Sequence, residues 1–252
     1  MQKQYEQFLE NGYCLLRQAC DAPNLERITS ELSASLRNAH AANLISRGEL
    51  YGSRDLLRVC PEIIKLIQIS VLREFACLAL SNECGIVRGL YFDKPPSRSW
   101  SLPWHRDQSI AVKMRPSAHQ LTQGGYENPT LKSGIQHVIA PHHVLTRMLT
   151  FRIHLDPMTA ANGPLHVIPG SHLDLPGPAA PDLVDLQRTS EEIHCDAGDV
   201  FVMHPLLVHS SSVSSPETQL HRRIVHLELA ASPKLPADVQ WRDYHRIFGN
   251  SP

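Results

Sequence analysis

The sequence predicts a mainly β protein with added helices, and two observations support this prediction. Apolar residues recur at helical spacing in the first third, whereas from Gly85 onward short apolar runs alternate with Gly, Pro, Asn and Asp. The 19 prolines indicate many turns and few long helices. A chain of 252 residues is ordinary for one β sandwich or barrel with helical additions, so we expect a single domain over residues 1–252.

Residues 1–84 are predicted to be largely helical. A first short helix has an apolar face made of Tyr5, Phe8 and Leu9. Gly12 is suited to end this helix, and the short extended run YCLLRQA follows. Residues 21–40 show leucine and isoleucine at helical spacing after a capping Asp21, and residues 61–80 are apolar on much of their surface. We expect these helices to pack against a sheet.

From Gly85 the sequence contains a series of strand candidates: IVRGLYF, SIAVKM, MLTFRIHLD, LHVIPG, GDVFVMH and RRIVHLEL. The third alternates cleanly, with Leu149, Phe151, Ile153 and Leu155 on one face. Thr150, Arg152 and His154 occupy its other face. Such a polar face either meets solvent or lines a polar cavity inside a barrel, and this strand alone leaves both open.

Two long connections interrupt the strands. Residues 115–143 are rich in Gly, Pro, Asn and His without periodicity, and we predict a lid loop there. Its histidines, which we leave without an assigned role, are His119, His137, His142 and His143. The second connection spans residues 173–192, and residues 233–252 are expected to form a C-terminal tail.

Composition argues against several classes of function. The net charge of −1 and the pI of about 6.9 provide no basic surface for nucleic acid and no polybasic membrane anchor. No stretch approaches the roughly 20 apolar residues of a membrane span, and Glu6 and Glu10 interrupt any apolar leader. With six scattered cysteines, expected to be reduced, these features predict a cytoplasmic protein.

The stretch PWHRDQ places His105 and Asp107 one residue apart. In an extended chain, both side chains point the same way. Two histidines and one carboxylate with open positions are typical of non-heme iron sites, so the pair needs a further histidine. His204 and His209, in GDVFVMHPLLVHSSS, are both candidates. Because Pro205 interrupts that run, strand parity does not choose between them.

Six stretches, in this order, resemble the phytanoyl-CoA dioxygenase family: VRGLYFDK (87–94), PWHRDQSIAV (103–112), MLTFRIHLD (148–156), NGPLHVIPGSH (162–172), GDVFVMHPLLVHSSS (198–212) and HRRIVHLELA (221–230). The resemblance covers about the C-terminal two thirds of the chain. It implies a double-stranded β-helix (a jelly roll, cupin-like) over residues 85–232, with the N-terminal helices packed on one face. It also implies Fe(II), 2-oxoglutarate and O2 as metal and cosubstrates.

Carried over residue by residue, the resemblance makes His105, Asp107 and His209 the metal ligands. Arg222 resembles the arginine that binds the far carboxylate of 2-oxoglutarate, and Ser211 matches an accompanying hydroxyl. The interval of 13 from His209 to Arg222 is longer than usual in the family, which leaves Arg223 as an alternative. Alternation in RRIVHLEL favours Arg222, because its face is the more polar one.

Further contacts with cosubstrate or substrate are predicted more broadly. Arg152 and Thr150 are candidates by alternation alone, and Lys94 and Trp104 are candidates because they flank the site in sequence. The predicted activity is hydroxylation, or a related oxidation, of a small organic molecule with release of succinate and CO2. Asp107 favours hydroxylation or a related oxidation (desaturation, cyclisation) over halogenation, since related halogenases lack this carboxylate. The alternatives are a cupin-like metal- or ligand-binding protein without oxygenase activity, and a non-redox metal hydrolase or isomerase.

Overall fold

A computed structural model describes residues 1–38, 43–46, 49–174 and 189–248. Its helices are α1 (Gln2–Asn11), α2 (Ala22–Asn38), α3 (Leu56–Val59), α4 (Ser70–Leu80), α5 (Ala118–Gly124) and α6 (His142–Leu145). Its strands are β1 (Tyr13–Leu16), β2 (Asn43–Ser46), β3 (Glu49–Ser53), β4 (Gly85–Lys94), β5 (Leu102–His105), β6 (Ser109–Val112), β7 (Glu127–Lys132), β8 (Ile135–Ile139), β9 (Met148–His154), β10 (Leu165–Val167), β11 (Glu191–Ile193), β12 (Val200–Met203), β13 (His209–Ser211), β14 (Arg222–Ala230) and β15 (His245–Arg246).

The strands form three sheets in which every named pair is antiparallel. The major sheet has eight strands in the order β1-β12-β9-β14-β4-β3-β2, with β15 added beside β4. The minor sheet has the order β11-β10-β13-β5, and the third sheet has the order β6-β8-β7. This is the mainly β architecture with antiparallel sheets that the sequence predicts.

The largest core lies between the helices and one face of the major sheet. Alternation along β9 and β14 directs one set of apolar side chains to this face: Leu149, Phe151, Ile153, Val225, Leu227 and Leu229. These side chains pack in the same cluster as buried residues of α1, α2 and α4, which include Phe8, Ile28 and Phe75. Burying this apolar surface stabilises the packing of the helices on the sheet by about 25 cal/mol per Å². The predicted packing of helices on one face is confirmed.

The opposite face of the major sheet is turned toward the minor sheet. Phe201 and Met203 of β12 share a second apolar cluster with Leu165 and Val167 of β10, which closes one part of the space between the sheets. The polar face of β9 and β14 adjoins the rest of that space, where the cavity described below lies. The polar residues of these strands therefore line a barrel interior instead of meeting bulk solvent.

The N-terminal helices follow the predicted bounds closely. Helix α1 ends at Gly12, whose positive φ of 79° is the conformation that favours glycine. Asp21 accepts a hydrogen bond from the backbone N–H of Asn24 at 3.0 Å at the start of α2. The prediction that Leu9 lies on the apolar face of α1 is wrong, because this residue is 51% exposed. Residues 61–80 are helical in two pieces, a 3-10 segment Pro61–Gln68 and then α4.

The prediction of a structureless loop over residues 115–143 is wrong. Helix α5 begins with a capping box between Ser117 and Gln120, and β7 and β8 form an antiparallel hairpin. The sequences of α5 and β7 show no hydrophobic periodicity, because β7 is exposed along nearly its whole length and α5 buries only Gly124. An edge strand without a buried face has no reason to alternate apolar and polar residues.

The segments outside the central strands join the same structure. Trp241 of the predicted tail is 6% exposed and bridges to Val112, and β15 pairs with β4. Most of the second predicted connection, residues 175–188, lies outside the described residues. In the described ranges, the helices lack the combination of length and apolar composition that a membrane crossing requires.

Candidate metal centre and cavity

Strands β5 and β13 of the minor sheet bring the predicted metal ligands together. His105 and His209 are register partners in this antiparallel pair, and their ring centroids are 4.2 Å apart. Asp107 follows the end of β5, where its backbone N–H donates to the carbonyl of Pro205 at 2.8 Å. One ligand atom from each residue lies within 4.8 Å of the other two. Within the described chain, this three-residue group has the spacing that a single metal ion needs.

The structure separates the two candidate histidines. Strand β12 ends at Met203, and the chain crosses to the other sheet before His209 begins β13. His204 therefore lies at the helix side, with its ring 6.2 Å from that of Phe8 and 5.2 Å from that of His172. Its Nδ1 accepts a hydrogen bond from the backbone N–H of Leu206 at 3.0 Å. His204 is not part of the three-residue group.

Backbone carbonyls orient both imidazoles of the group. Nδ1 of His105 lies 2.7 Å from the carbonyl oxygen of Pro103, and Nδ1 of His209 lies 2.9 Å from that of Leu207. A carbonyl only accepts, so each Nδ1 carries the proton and each Nε2 keeps a lone pair. The Nε2 atoms lie 3.8 Å (His105) and 3.7 Å (His209) from Asp107 carboxylate oxygens. These donors fit a divalent transition-metal ion such as Fe(II).

The electrostatics of the group also suit metal binding. Burial raises the pKa of Asp107, but His209, His226, His105 and Arg152 outweigh it and hold the pKa at about 2. Burial lowers the pKa of His209 to about 4, with a smaller opposing effect of Asp107. At neutral pH the group therefore provides an ionised carboxylate and a neutral His209 imidazole, the protonation states of metal ligands.

The group opens onto a cavity of about 500 Å³ between the sheets. We call the buried part the inner end, which is lined by Arg152, Leu165, Ser211 and Arg222. The part that opens to solvent is the outer end, lined by Tyr51, Arg54, Arg88, Trp100 and Lys132. The volume falls within the range of about 300–1,000 Å³ that is usual for small-molecule sites.

Arg222 is a buried guanidinium at the inner end. It is 4% exposed, and its Nη1 donates to the carbonyl of Gly163 at 2.7 Å. Its Nε has no hydrogen-bond partner among the described residues. Burial and the neighbouring Arg152 lower the pKa of Arg222 to about 9, so it remains charged at neutral pH. A buried charged group with an unused donor is a site for an anion.

Lys94 and Ser211 adjoin Arg222. Lys94 lies opposite Arg222 in the β4–β14 register and is fully buried. Its Nζ donates to the Ser211 hydroxyl at 3.2 Å and to the Ser212 carbonyl at 2.8 Å. Burial, with Arg222 and Arg152 nearby, lowers the pKa of Lys94 to about 7. The inner end, together with Lys94 directly behind Ser211, therefore holds a cluster of hydrogen-bond donors with excess positive charge.

Arg223 points away from the cavity. Its side chain donates two hydrogen bonds to Asp156, from Nε at 2.8 Å and from Nη2 at 2.6 Å, and its backbone N–H donates a third at 2.9 Å. Its neighbours along that face, Val225 and Leu227, pack against the helices. The strand alternation that favours Arg222 as the residue facing the barrel is thus observed in the structure.

Of the other residues predicted to contact cosubstrate or substrate, Arg152 lines the cavity, and Thr150 and Trp104 do not. Arg152 lines the cavity, is 8% exposed, and has no hydrogen-bond or ion-pair partner among the described residues. Thr150 is buried two residues earlier, opposite Met203 and Glu228, and is not a cavity-lining residue. Trp104 does not line the cavity either, and the same holds for the four histidines left without an assigned role: His119, His137, His142 and His143.

Gly163 and Asn162, which begin the NGPLHVIPGSH stretch, lie close to the site. The Gly163 carbonyl holds Arg222, and a β-carbon at Gly163 would lie 2.6 Å from the Ser212 carbonyl oxygen and 3.1 Å from Lys94 Nζ. The Asn162 side chain donates to the carbonyls of Pro157 and His221, at 2.7 and 3.1 Å, and so ties this turn to the start of β14. The position of NGPL just before a strand was the feature of the sequence that could have indicated this role.

The model of the phytanoyl-CoA dioxygenase family matches residues 8–219 of the chain. That range includes all three residues of the metal group and ends just before Arg222. No curated protein sequence matches the chain.

Solved structures of similar fold are numerous. AviO1 from Streptomyces viridochromogenes Tue57 is 21% identical with a TM-score of 0.65, over 93% of this chain and 97% of that one. EctD from S. alaskensis, solved with 2-oxoglutarate and 5-hydroxyectoine, is 20% identical with a TM-score of 0.69, over 91% and 76%. The α-ketoglutarate-dependent carbocyclase SnoK of nogalamycin biosynthesis is 16% identical with a TM-score of 0.67, over 96% and 86%. These similarities confirm the predicted cupin-like fold.

Proposed function

The chain belongs to the phytanoyl-CoA dioxygenase family and is in general terms a non-heme iron and 2-oxoglutarate oxygenase, and from this premise we propose that it hydroxylates a small organic molecule. One observation carries the proposal. A single cavity contains a group of two histidines and one carboxylate and, at its inner end, a buried guanidinium with an unused donor. The first suits a metal ion with open positions, and the second suits a carboxylate.

His105, Asp107 and His209 would hold Fe(II). Their Nε2 atoms and carboxylate face one another, while the Nδ1 atoms are already engaged with backbone carbonyls. When bound, iron and 2-oxoglutarate supply the oxidation of a C–H bond by O2, with release of succinate and CO2. The chain contributes three ligands in fixed orientation and leaves the remaining coordination positions to small molecules.

Arg222 would bind the far carboxylate of 2-oxoglutarate, with Ser211 and Lys94 as additional donors. The three side chains are 4%, 4% and 0% exposed, so water is largely excluded from this end. A guanidinium in such a site binds a carboxylate through two parallel hydrogen bonds. The Gly163 carbonyl holds Arg222 in place, and this fixed orientation lowers the entropic cost of binding.

Arg152 would supply a second positive charge to the same cosubstrate. It lies opposite His226 on β14, in the same cavity as Asp107, and its guanidinium makes no hydrogen bond or ion pair among the described residues. 2-Oxoglutarate carries two negative charges at neutral pH. Two arginines with Asp107 as the only ionised carboxylate of the metal group therefore match a dianion that binds between them.

The residues favour hydroxylation, or a related oxidation, over halogenation. Asp107 is present and has the lowered pKa of an ionised ligand, so it would occupy the coordination position that a halide requires in halogenases. Tyr51, Leu90, Phe92 and Trp100 give the cavity an apolar wall, which suits the carbon skeleton of a small substrate.

An anaerobic titration tests this proposal. Metal-free protein is mixed with Fe(II), then with 2-oxoglutarate, while the visible metal-to-ligand charge-transfer band is followed. We expect the band only when both are present, and succinate after O2 and a substrate are admitted. Succinate in place of 2-oxoglutarate is the matched control, because it keeps the far carboxylate but lacks the oxo group. Bound iron without a band would contradict the proposal and favour a metal-binding or hydrolytic function.

A further inference from the structure

The outer end of the cavity has a charge pattern that metal and cosubstrate binding leave unexplained. Arg54 follows β3, Arg88 lies on β4, and Lys132 ends β7. Three elements that are distant in sequence thus place three cations around one opening. Asp107 and Glu228 are the two acidic residues among the described residues that line the cavity, and Asp107 belongs to the metal group.

Only one of the three cations has an acidic partner. Arg88 Nη1 donates to Glu228 Oε1 at 3.1 Å, and both side chains are nearly buried. Arg54 and Lys132 have no hydrogen bond or ion pair among the residues that the structure describes. Burial and then Arg88 lower the pKa of Arg54, while burial followed by Arg88 and Arg54 lowers that of Lys132. The three are therefore close enough to repel one another.

An aromatic wall stands beside these cations. The rings of Tyr51 and Trp100 both line the cavity and meet edge to face, with centroids 5.8 Å apart. Leu90 and Phe92 of β4 continue the apolar surface. A basic cluster in which Arg54 and Lys132 make no ion pair among the described residues, next to an apolar wall, is complementary to a molecule with an acidic group and an apolar body.

We propose that the substrate of this enzyme carries a carboxylate, phosphate or sulfate group that Arg54 and Lys132 bind at the outer end. Its apolar body lies along Tyr51 and Trp100, which directs the far end of the molecule toward the metal group. Arginine offers a planar fork of donors and lysine a compact charge, and together they accommodate any of these acidic groups. The assignment of the bound molecule as a substrate rests on the proposed oxygenase function.

Calorimetry with simple probes tests the acidic-group site in the full-length protein. Phenylacetate, phenyl phosphate and neutral phenylacetamide are titrated after saturation with 2-oxoglutarate, so that the inner end is occupied. We expect both acids to bind at least about tenfold more tightly than the amide, since one charge-assisted contact at a partly buried site is worth that factor. Equal affinity for acid and amide would overturn the proposal.

Variants locate the site. Arg54→Gln with Lys132→Gln should remove the preference for the acids, whereas Arg37→Gln with Lys113→Gln, which neutralises two exposed cations outside the cavity, should preserve it. Lys132→Gln alone changes an exposed side chain and should reduce the preference even if the double variant fails to fold. Identical acid affinities in the two double variants would contradict the assignment.

These titrations distinguish failure of the outer anion site from failure of the oxygenase function. If saturating 2-oxoglutarate abolishes binding of the acids, they had bound at the inner end and the outer site is wrong. The other outcome is that 2-oxoglutarate does not bind, but the protein still binds the acids more tightly than the amide through Arg54 and Lys132. In that case the oxygenase proposal fails and the anion site stands.

Discussion

Lys94 and Arg222 are register partners on adjacent strands, so two buried basic side chains lie next to each other where Arg222 lines the inner end of the cavity. Neither has an acidic partner among the described residues: Lys94 donates to Ser211 and Ser212, and Arg222 to the Gly163 carbonyl. Two adjacent buried cations repel, and the repulsion contributes to the lowered pKa of Lys94. An anion bound between them would relieve this cost, which is the physical basis of the proposed cosubstrate site.

The choice between neighbouring arginines leads to the first prediction. Arg222→Gln should weaken 2-oxoglutarate binding by at least about 30-fold, because losing one partner of a buried charge pair costs about 2–5 kcal/mol. Arg223→Gln should leave that affinity unchanged and lower the free energy of unfolding by about 1 kcal/mol, since it breaks the Asp156 pair. Anaerobic titration and urea unfolding measure the two effects. The reverse pattern would reassign the cosubstrate arginine.

The two histidines of the VMHPLLVH stretch provide a matched pair for the metal. His209→Gln should lower Fe(II) affinity by at least about 100-fold, because it removes a direct ligand, and even outer partners of ligands contribute about 10–100-fold. His204→Gln should retain the affinity, since this ring contacts Phe8 and His172 instead. Competition with a colorimetric chelator gives the dissociation constants. Loss of iron in both variants, with the fold intact by circular dichroism, would count against the proposed ligand set.

Lys94 makes cosubstrate binding depend on pH. Its pKa is lowered to about 7, so Lys94 is charged below that pH and progressively neutral above it. A carboxylate prefers the charged form, and 2-oxoglutarate affinity should therefore fall as pH rises from 6 to 8.5, by at most about tenfold per unit. Asp107, with a pKa of about 2, keeps its charge over this range, and Arg222, with a pKa of about 9, remains mostly charged up to pH 8.5.

The control for this pH dependence is Lys94→Met. The variant should bind 2-oxoglutarate more weakly at pH 6 and show a flatter profile, because the titrating amine is gone. Calorimetry at a series of pH values measures both profiles. Parallel profiles in the two proteins would exclude Lys94 as the source of the dependence.

Gly163 tests how tightly the inner end is packed. Its φ of 75° and the 2.6 Å approach of a β-carbon to the Ser212 carbonyl predict that Gly163→Ala destabilises the protein by about 1–3 kcal/mol. Gly134→Ala is the matched control, because Gly134 has a φ of 76° but open space around its β-carbon position. Urea unfolding should therefore show the larger loss for Gly163→Ala. Equal losses would mean that backbone strain alone, without the clash, determines the cost.

Much of the site was predictable from local patterns. Alternation placed Arg152 and Arg222 on the polar faces of β9 and β14, because successive side chains in a strand point to opposite faces whatever the rest of the fold does, and the family resemblance implied that these faces line a barrel. The H-x-D spacing identified His105 and Asp107 for the same reason, since that geometry is local. The N-terminal helices α1, α2 and α4 followed from apolar residues at helical spacing, with the exception of the exposed Leu9.

Other features were decided only by the tertiary structure. His209 joins His105 because the chain crosses from the major to the minor sheet after Met203, and a crossing of this kind leaves no periodic signal. The hairpin of β7 and β8 escaped prediction because an exposed edge strand does not alternate. The outer-end cluster of Arg54, Arg88 and Lys132 comes from three separate strand regions. Local sequence therefore determined which way each side chain points, whereas long-range strand pairing determined which side chains meet.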